Sequence, residues 1–450
     1  MIRQAATRRE FLRLVGQGLL AAGAAQSIWP LAHGQARGRT NIILILADDL
    51  GYECLGCNGG ESYRTPNLDQ MAAEGMRFEH CYAQPLCTPS RVQIMTGRYN
   101  FRNYKDFGYL DPNEVTFANI LKQAGYATCI AGKWQLNGIG EWPDWQDTNR
   151  ARHFGFDEHC LWQYTQRGER YANPMIVQNG ELLKGVEDKY GPDIFCDFVL
   201  DFVKRHRSDP FFVYYPMVLT HAPFVPTPDS PTWETGNRYK KDNRYFADMV
   251  AYMDKIVGRI LAQLETLGLA DNTLFLFTGD NGTHVDITSR WKGQDYPGGK
   301  GNMWEPGTHV PLIASWKNVI RAGRVCPDLV DFTDMLPTLA AAGQTTVPST
   351  VPLDGRSFLP QLKGDKGNPR NWIFCHYDQG KESSQERHNG RYARGKRYKL
   401  YMDGKMYDVP ADLFERYPIE GTTGEAREAR RRLQKVLDSM PPYKEIDIRK

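Results

Sequence analysis

The sequence predicts an α/β protein: a large, mostly parallel mixed sheet sandwiched by helices, with a small α+β subdomain at the carboxyl end. Three observations carry that expectation. Several apolar, β-branched runs are continuous rather than alternating, as strands covered on both faces require. Helical periodicities fall between those runs, and such alternation builds a sheet with helices on both sides. After about residue 365 the texture changes to short strands and one charged helix. A chain of 450 residues, 41% hydrophobic and 24% charged, is long enough for a large core and has the composition of a globular protein.

Residues 1–36 read as an address. Thr7-Arg8-Arg9-Glu10-Phe11-Leu12-Arg13 is a twin-arginine pattern, followed by a mild apolar run through Leu19, Leu20 and Ala25 and by small Ala32, Gly34 and Ala36. The run is short and moderately hydrophobic, which favours a cleaved export signal over stable membrane insertion. Cleavage after Ala36 would remove four arginines and one glutamate, taking the formal charge from +3 to zero. No basic excess of a nucleic-acid binder then remains, and Arg430-Arg431-Arg432 reads as the solvated face of a helix. Nine cysteines are too sparse for a disulfide scaffold, and their odd number allows one a separate fate. Cys54-x-x-Cys57 lacks a second pair at zinc spacing, so a loop disulfide or two free thiols is expected.

The folded chain follows in order. Asn41–Ala47 reads as a buried strand running into Asp48-Asp49-Leu50-Gly51. Thr65-Pro66 opens a helix that Gly75 ends, and Thr116 opens another, with Phe117, Ile120 and Leu121 on one face and Gly125 as its stop. Strands are expected at 127–131, ending in Gly132-Lys133-Trp134-Gln135, and at 211–219, ending in Thr220-His221-Ala222-Pro223, with Pro216 a break or an edge. Another at 273–277 ends in Thr278-Gly279-Asp280-Asn281-Gly282. Helices are expected after Asp193, carrying Phe195, Phe198, Val199 and Phe202, and over 245–267. Residues 37–365 form the expected main domain and 366–450 the small one. The latter holds strands at 372–377, 398–402 and 406–409, an Asp403-Gly404 hairpin turn, and a helix at 425–439 striped by Leu433, Val436 and Leu437. Ligands of such sheets bind beyond the carboxyl ends of the strands, where the polar residues above lie.

Cys87-Thr88-Pro89-Ser90-Arg91, followed by Thr96-Gly97-Arg98, concentrates reactive groups. Thr88 suits a helix N-cap and Pro89 the first helical position, which puts a cysteine just ahead of an anion-attracting helix start. Arg91 adds a fork for anionic oxygens. Asp48, Asp49, Asp280 and Asn281 offer four oxygen-bearing side chains from two strand ends, a set that suits Ca²⁺ or Mg²⁺ rather than zinc. Either pair alone is equally well explained as turn capping. With Cys87 between them in sequence, a metal site is the better account. Lys133, His221 and Lys300, the last in the glycine-rich Gly298-Gly299-Lys300-Gly301, add cations for an anion and a proton donor for a leaving alcohol.

In order along the chain, these segments resemble the type I, formylglycine-dependent sulfatases of the alkaline-phosphatase-like superfamily. Cys87 to Gly97 is similar to the family signature C-x-P-S-R-x(4)-T-G. Asp48-Asp49-Leu50-Gly51, Gly132-Lys133-Trp134, Thr220-His221-Ala222-Pro223, Asp280-Asn281-Gly282, Gly299-Lys300-Gly301 with Trp304-Glu305, Asp334 with Pro337-Thr338, and Asp354-Gly355 also match. The resemblance implies that a maturation enzyme converts Cys87 to formylglycine, whose hydrate attacks the sulfur of a sulfate ester and later expels sulfate through its second hydroxyl. It implies that Asp48, Asp49, Cys87, Asp280 and Asn281 hold Ca²⁺, with Mg²⁺ the alternative. Arg91 would hold the nucleophile and Lys133 contact it, while His221 and Lys300 would bind sulfate and protonate the leaving oxygen.

Two positions depart from the family pattern. Gln135 stands where a histidine commonly assists the diol, and it cannot accept a proton at neutral pH; Gln135 is accordingly assigned to substrate binding. His309 stands where arginine often precedes Val310-Pro311, a position expected to support its loop. Aromatic-rich loops at 144–171 and 224–245 are either pocket walls or buried packing. A sulfated small molecule or glycan is the expected substrate. A phosphonate or phosphate ester hydrolase using the same nucleophile, and a non-catalytic binder of sulfated glycans, are the competing expectations.

Overall fold

The structure, a computed structural model, describes residues 38–378 and 389–442. The export signal expected at 1–36 lies outside the described residues. β1 (Asn41–Ala47) is buried along its whole length, and its alternate residues feed two separate cores. Ile43, Ile45 and Ala47 enter one, Ile42, Leu44 and Leu46 the other. A strand with two buried faces must be apolar at every position, which is why its run is continuous.

The other strands of the large sheet are β2 (Met76–Tyr82), β3 (Ala127–Lys133), β4 (Glu158–Trp162), β5 (Ile176–Gln178), β6 (Glu181–Leu182), β7 (Phe211–Pro216) and β8 (Thr273–Gly279). A separate hairpin, β9 (Thr288–Trp291) and β10 (Gln294–Pro297), precedes β11 (His309–Val310), β12 (Leu312–Ser315) and β13 (Arg324–Asp331). The order is β11-β2-β12-β8-β1-β7-β3-β4-β5-β6, with β13 beside β2. The central β8-β1-β7-β3-β4 block is parallel, and β12 and β5 flank it antiparallel. β7 stops at Pro216, short of the expected 219, because proline brings no N–H to the ladder.

Helices α1 (Pro66–Glu74), α2 (Cys87–Thr96), α3 (Phe117–Gln123), α4 (Gly191–Arg205), α5 (Tyr245–Thr266) and α6 (Met335–Ala342) cover the sheet. α1, α4 and α5 pack on the Ile43 side, and α2, α3 and α6 on the Ile42 side. The start of α3 is set by a capping box: the Thr116 hydroxyl accepts from the N–H groups of Ala118 and Asn119, and the Asn119 side chain accepts from the Thr116 N–H. Among the described residues, no helix is long and apolar enough to cross a membrane.

Strands β14 (Ile373–Tyr377), β15 (Gly390–Arg394), β16 (Tyr398–Tyr401) and β17 (Met406–Asp408) form a small antiparallel sheet. Helix α7 (Gly424–Ser439) closes over it through Leu433 and Val436, which join Phe374 and Leu400. Buried ion pairs tie this sheet to the main one. Arg394 pairs with Glu305, and Arg370 donates to Asp334 at 2.6 Å. Lys399 donates to Met303 O and to Glu415 Oε1, whose carboxylate also accepts from the Glu305 N–H at 2.9 Å.

Three buried histidines each weigh against the fold in acid. Neither ring nitrogen of His159 finds a partner, and burial pushes its pKa down to about 4. Burial, only partly opposed by Glu305, holds His309 at about 4, and burial beside Arg391 holds His376 at about 3. The unfolded chain protonates histidines below about pH 6.5, so it binds more protons than the native state from there down to about pH 4. Each of these histidines therefore subtracts stability as pH falls through that window, by at most about 1.4 kcal/mol per pH unit, while a carboxyl group held neutral by burial, such as Asp280, acts in the opposite sense. In an NMR titration of the folded protein the three rings should stay neutral at about pH 5.5, and protonation of any of them above about pH 6 would refute the assignment.

Candidate active site

Backbone pairing brings the chemistry to one rim of the sheet. Ala47 and Gly279 are register partners in β1 and β8, so Asp48-Asp49 and Asp280-Asn281 leave the sheet side by side. The Asp280 N–H donates to Ala47 O at 2.9 Å, and the Asp49 N–H to Asp280 Oδ1 at 3.0 Å. Asp48 exchanges backbone hydrogen bonds with the segment after β7, its N–H to Leu219 O and its carbonyl from Thr220, which delivers His221. β3 ends in Lys133, and β2 leads into α2 and Cys87.

The helix start differs from the expected one. Leu86 is the N-cap and Cys87 already belongs to the first turn, while the Thr88 hydroxyl accepts from the Gly108 N–H at 3.1 Å. With its hydroxyl engaged by that loop, Thr88 is not available to cap. Cys87 thus lies within the turn whose N–H groups lack helical partners.

Asp48, Asp49 and Asp280 are fully buried, and three cations balance them. Lys133 Nζ donates to both oxygens of Asp48, at 3.0 and 2.8 Å. Arg91 donates from Nε (3.2 Å) and Nη2 (2.8 Å) to Asp280 Oδ2, and Nη2 lies 3.7 Å from Asp48 Oδ1. Lys300 Nζ donates to Asp49 Oδ2 at 2.6 Å. Burial opposes ionisation of Asp48 and Asp49, yet Lys133 beside the first and Lys300 beside the second hold both below the usual carboxylate range. Asp280 is pushed up to about 7 by burial and by neighbouring Asp48, despite Arg91.

His221 Nδ1 lies 2.6 Å from Ala222 O, and a carbonyl only accepts, so Nδ1 carries the proton. Nε2 then faces Lys300 Nζ at 2.9 Å and accepts from it. Burial lowers the His221 pKa to about 4, against the pull of Asp49 and Asp48.

The donors fit a hard divalent cation. Sγ of Cys87 and carboxylate oxygens of Asp48 and Asp280 all lie within 4.8 Å of one another, and Asp48, Asp49 and His221 offer a second such group. Asn281 Nδ2 donates to Asp49 Oδ1, but its Oδ1 is buried with no partner. An amide oxygen left bare among carboxylates is costly unless a cation meets it.

Gly132 positions Lys133. Its φ is +112°, and a Cβ there would stand 2.1 Å from Pro216 O of the adjoining strand. Gly132→Ala should cost about 2–4 kcal/mol and move Lys133 off Asp48. A urea midpoint matching the parent's would contradict this.

Gln135 sits half-buried beyond Lys133, its N–H donating to Gln163 O at 3.1 Å. His309 is buried, stacked 4.1 Å from Tyr52 and within 2.9 Å of Glu79 O through Nε2, so it braces its loop. Cys54 and Cys57 are free thiols. Most of the loop aromatics pack inward: Phe154, Phe156, Trp162, Tyr164, Tyr171 and Trp233 are buried, while Tyr239 is exposed. Sequence reasoning missed Arg170, whose Nη1 lies 4.0 Å from Asp48 Oδ2, because a single arginine in an aromatic loop follows no period.

The sulfatase family model matches residues 40–345, and the model of the N-sulphoglucosamine sulphohydrolase C-terminal region matches 299–440. Human arylsulfatase D is 30% identical over 430 residues, covering 75% of this chain and 71% of its own. Mouse N-acetylgalactosamine-6-sulfatase is 32% identical over 396 residues, covering 80% and 71%. The solved structure of Ps i-CgsB in complex with k-i-k-neocarrahexaose superposes with a TM-score of 0.71 at 25% identity, over 88% of this chain and 92% of that one.

Proposed function

The chain belongs to the sulfatase family and is a sulfuric ester hydrolase, and from that premise we propose that it cleaves a carbohydrate sulfate ester at Cys87, matured to formylglycine, beside a bound Ca²⁺. The observation that carries the proposal is the meeting of Cys87 Sγ with Asp48 and Asp280 oxygens among two buried cations, Arg91 and Lys133, and the partly buried Lys300. The carbohydrate preference draws on the relatives, which include an N-acetylgalactosamine-6-sulfatase and a protein solved with a neocarrahexaose.

Asp48, Asp49, Asp280 and Asn281, with residue 87, would hold the ion. When bound, it supplies Lewis acidity and acidifies a hydroxyl, and formylglycine supplies a carbonyl that hydrates to such a hydroxyl. Arg91 fixes Asp280 and so the wall beside residue 87. Lys133 spans from Asp48 toward the anion and neutralises developing charge. Ala222 O sets the His221 tautomer, leaving Nε2 to share a proton with Lys300 Nζ. That proton is the one delivered to the leaving oxygen. Release of inorganic sulfate from sulfated mono- and oligosaccharides, run beside an aryl phosphonate, tests the reading. Faster phosphonate turnover, or sugar binding without sulfate release, would overturn it.

A further inference from the structure

We propose that Arg170 is a further anion-binding residue of this site, taking a sulfate oxygen of substrate and product through its Nη1 edge; the proposal rests on the sulfatase reading above. The guanidinium carbon of Arg170 stands 3.9 Å from the centre of the Trp162 ring, and the side chain is 15% exposed. Stacking on an indole fixes the guanidinium plane without using any N–H, because all five donors lie in that plane. Nη1 is buried, lies 4.0 Å from Asp48 Oδ2, and makes no hydrogen bond. An arginine that served only as a counter-ion would close onto the carboxylate at about 2.8 Å. Lys133 instead holds both Asp48 oxygens, so a charged donor stands beside the rim with no hydrogen-bond acceptor among the described residues.

The backbone keeps Arg170 in place. The Tyr171 hydroxyl is hydrogen-bonded to Val218 O at 2.9 Å and to His221 O, which fastens the next residue onto the His221 loop. A Cβ at Gly191 would lie 2.1 Å from Arg170 O, so only glycine lets these segments approach. The Trp134 N–H donates to Trp162 O and the Gln135 N–H to Gln163 O, so Trp162, under Arg170, adjoins the segment that carries Gln135. Gln135 brings no charge there, and Arg170 does. A planar fork favours anionic oxygens over neutral sugar hydroxyls, which makes the ligand the sulfate group itself.

The test uses mature, metal-loaded enzyme with inorganic sulfate as the probe, measured by calorimetry and as a competitive inhibitor. R170Q should weaken sulfate binding and raise KM by about 10- to 100-fold, with the smaller change in kcat. R170K, which keeps a point charge without the fork, should recover part of the loss while melting like the parent. Sulfate affinity of R170Q within about twofold of the parent would overturn the proposal, as would a loss that merely tracks a lowered Tm in both variants. Calorimetry needs no turnover. A parent that binds sulfate yet cleaves no ester would defeat the sulfatase reading, and R170Q would still decide the role of Arg170.

Discussion

Cys87→Ala protein is expected to fold as the parent does and to hydrolyse sulfate esters at least ~10⁴-fold more slowly. The side chain is buried, and its loss removes one sulfur from the pocket floor, a packing cost of about 1–2 kcal/mol. The backbone of α2, with Leu86 as N-cap and Gly97 in the left-handed C-cap conformation, does not depend on it. On the proposed mechanism activity does, because no hydroxyl pair can form at this position without oxidation of the cysteine. Cys87→Ser should be equally inactive: it offers one hydroxyl where a hydrated aldehyde offers two. Peptide mass spectrometry on protein from its native host completes the test. An intact thiol at residue 87 together with normal sulfate release would sink the mechanism, and an intact thiol without release would favour a glycan-binding protein.

Asp280→Ala should be the most damaging change to the site as a whole. Asp280 Oδ2 accepts two hydrogen bonds from Arg91, and Oδ1 accepts the Asp49 N–H. Removing it leaves a buried guanidinium with a long hydrogen bond to Lys133 O (3.4 Å) and Asp48 at 3.7 Å, for about 3–5 kcal/mol of lost stability. It also removes one of the grouped oxygens proposed to hold the ion. Asp280→Asn separates these effects, since the amide oxygen can still accept from Asp49 while the charge is gone. The expected result is a modest Tm change in the asparagine variant, no further rise in Tm on adding Ca²⁺, and at least ~10³-fold lower activity. A Ca²⁺-induced Tm rise equal to the parent's would remove Asp280 from the ion's ligands.

The parallel centre of the sheet was legible because burial on both faces forces unbroken apolar runs, as in Asn41–Ala47 and Thr273–Gly279. Its flanks were not. β2 reads Met-Arg-Phe-Glu-His-Cys-Tyr, half polar because its side chains are only partly covered, and it carries no run to find. The acidic pairs were legible through their place after strands, whereas their pairing with Lys133, Arg91 and Lys300 is a matter of register that no local pattern encodes. The start of α2 shifted because the Thr88 hydroxyl is used by Gly108, twenty residues away. Arg170 was hidden for a related reason: its role comes from Trp162 beneath it and Asp48 beside it, and neither is a sequence neighbour.

The clasp between Glu305 and the small sheet bears on how the protein is made. Lys300 reaches Asp49 from a loop whose far end, at Met303 and Glu305, is gripped by Lys399, Arg394 and Glu415. Those grips do not exist until some four hundred residues have left the ribosome. A nascent chain can close its β1 and β8 strands earlier, but it braces the loop that brings Lys300 to Asp49 only near the end of translation. The salt link between Lys300 and Asp49 is thus among the last parts of the fold to be braced.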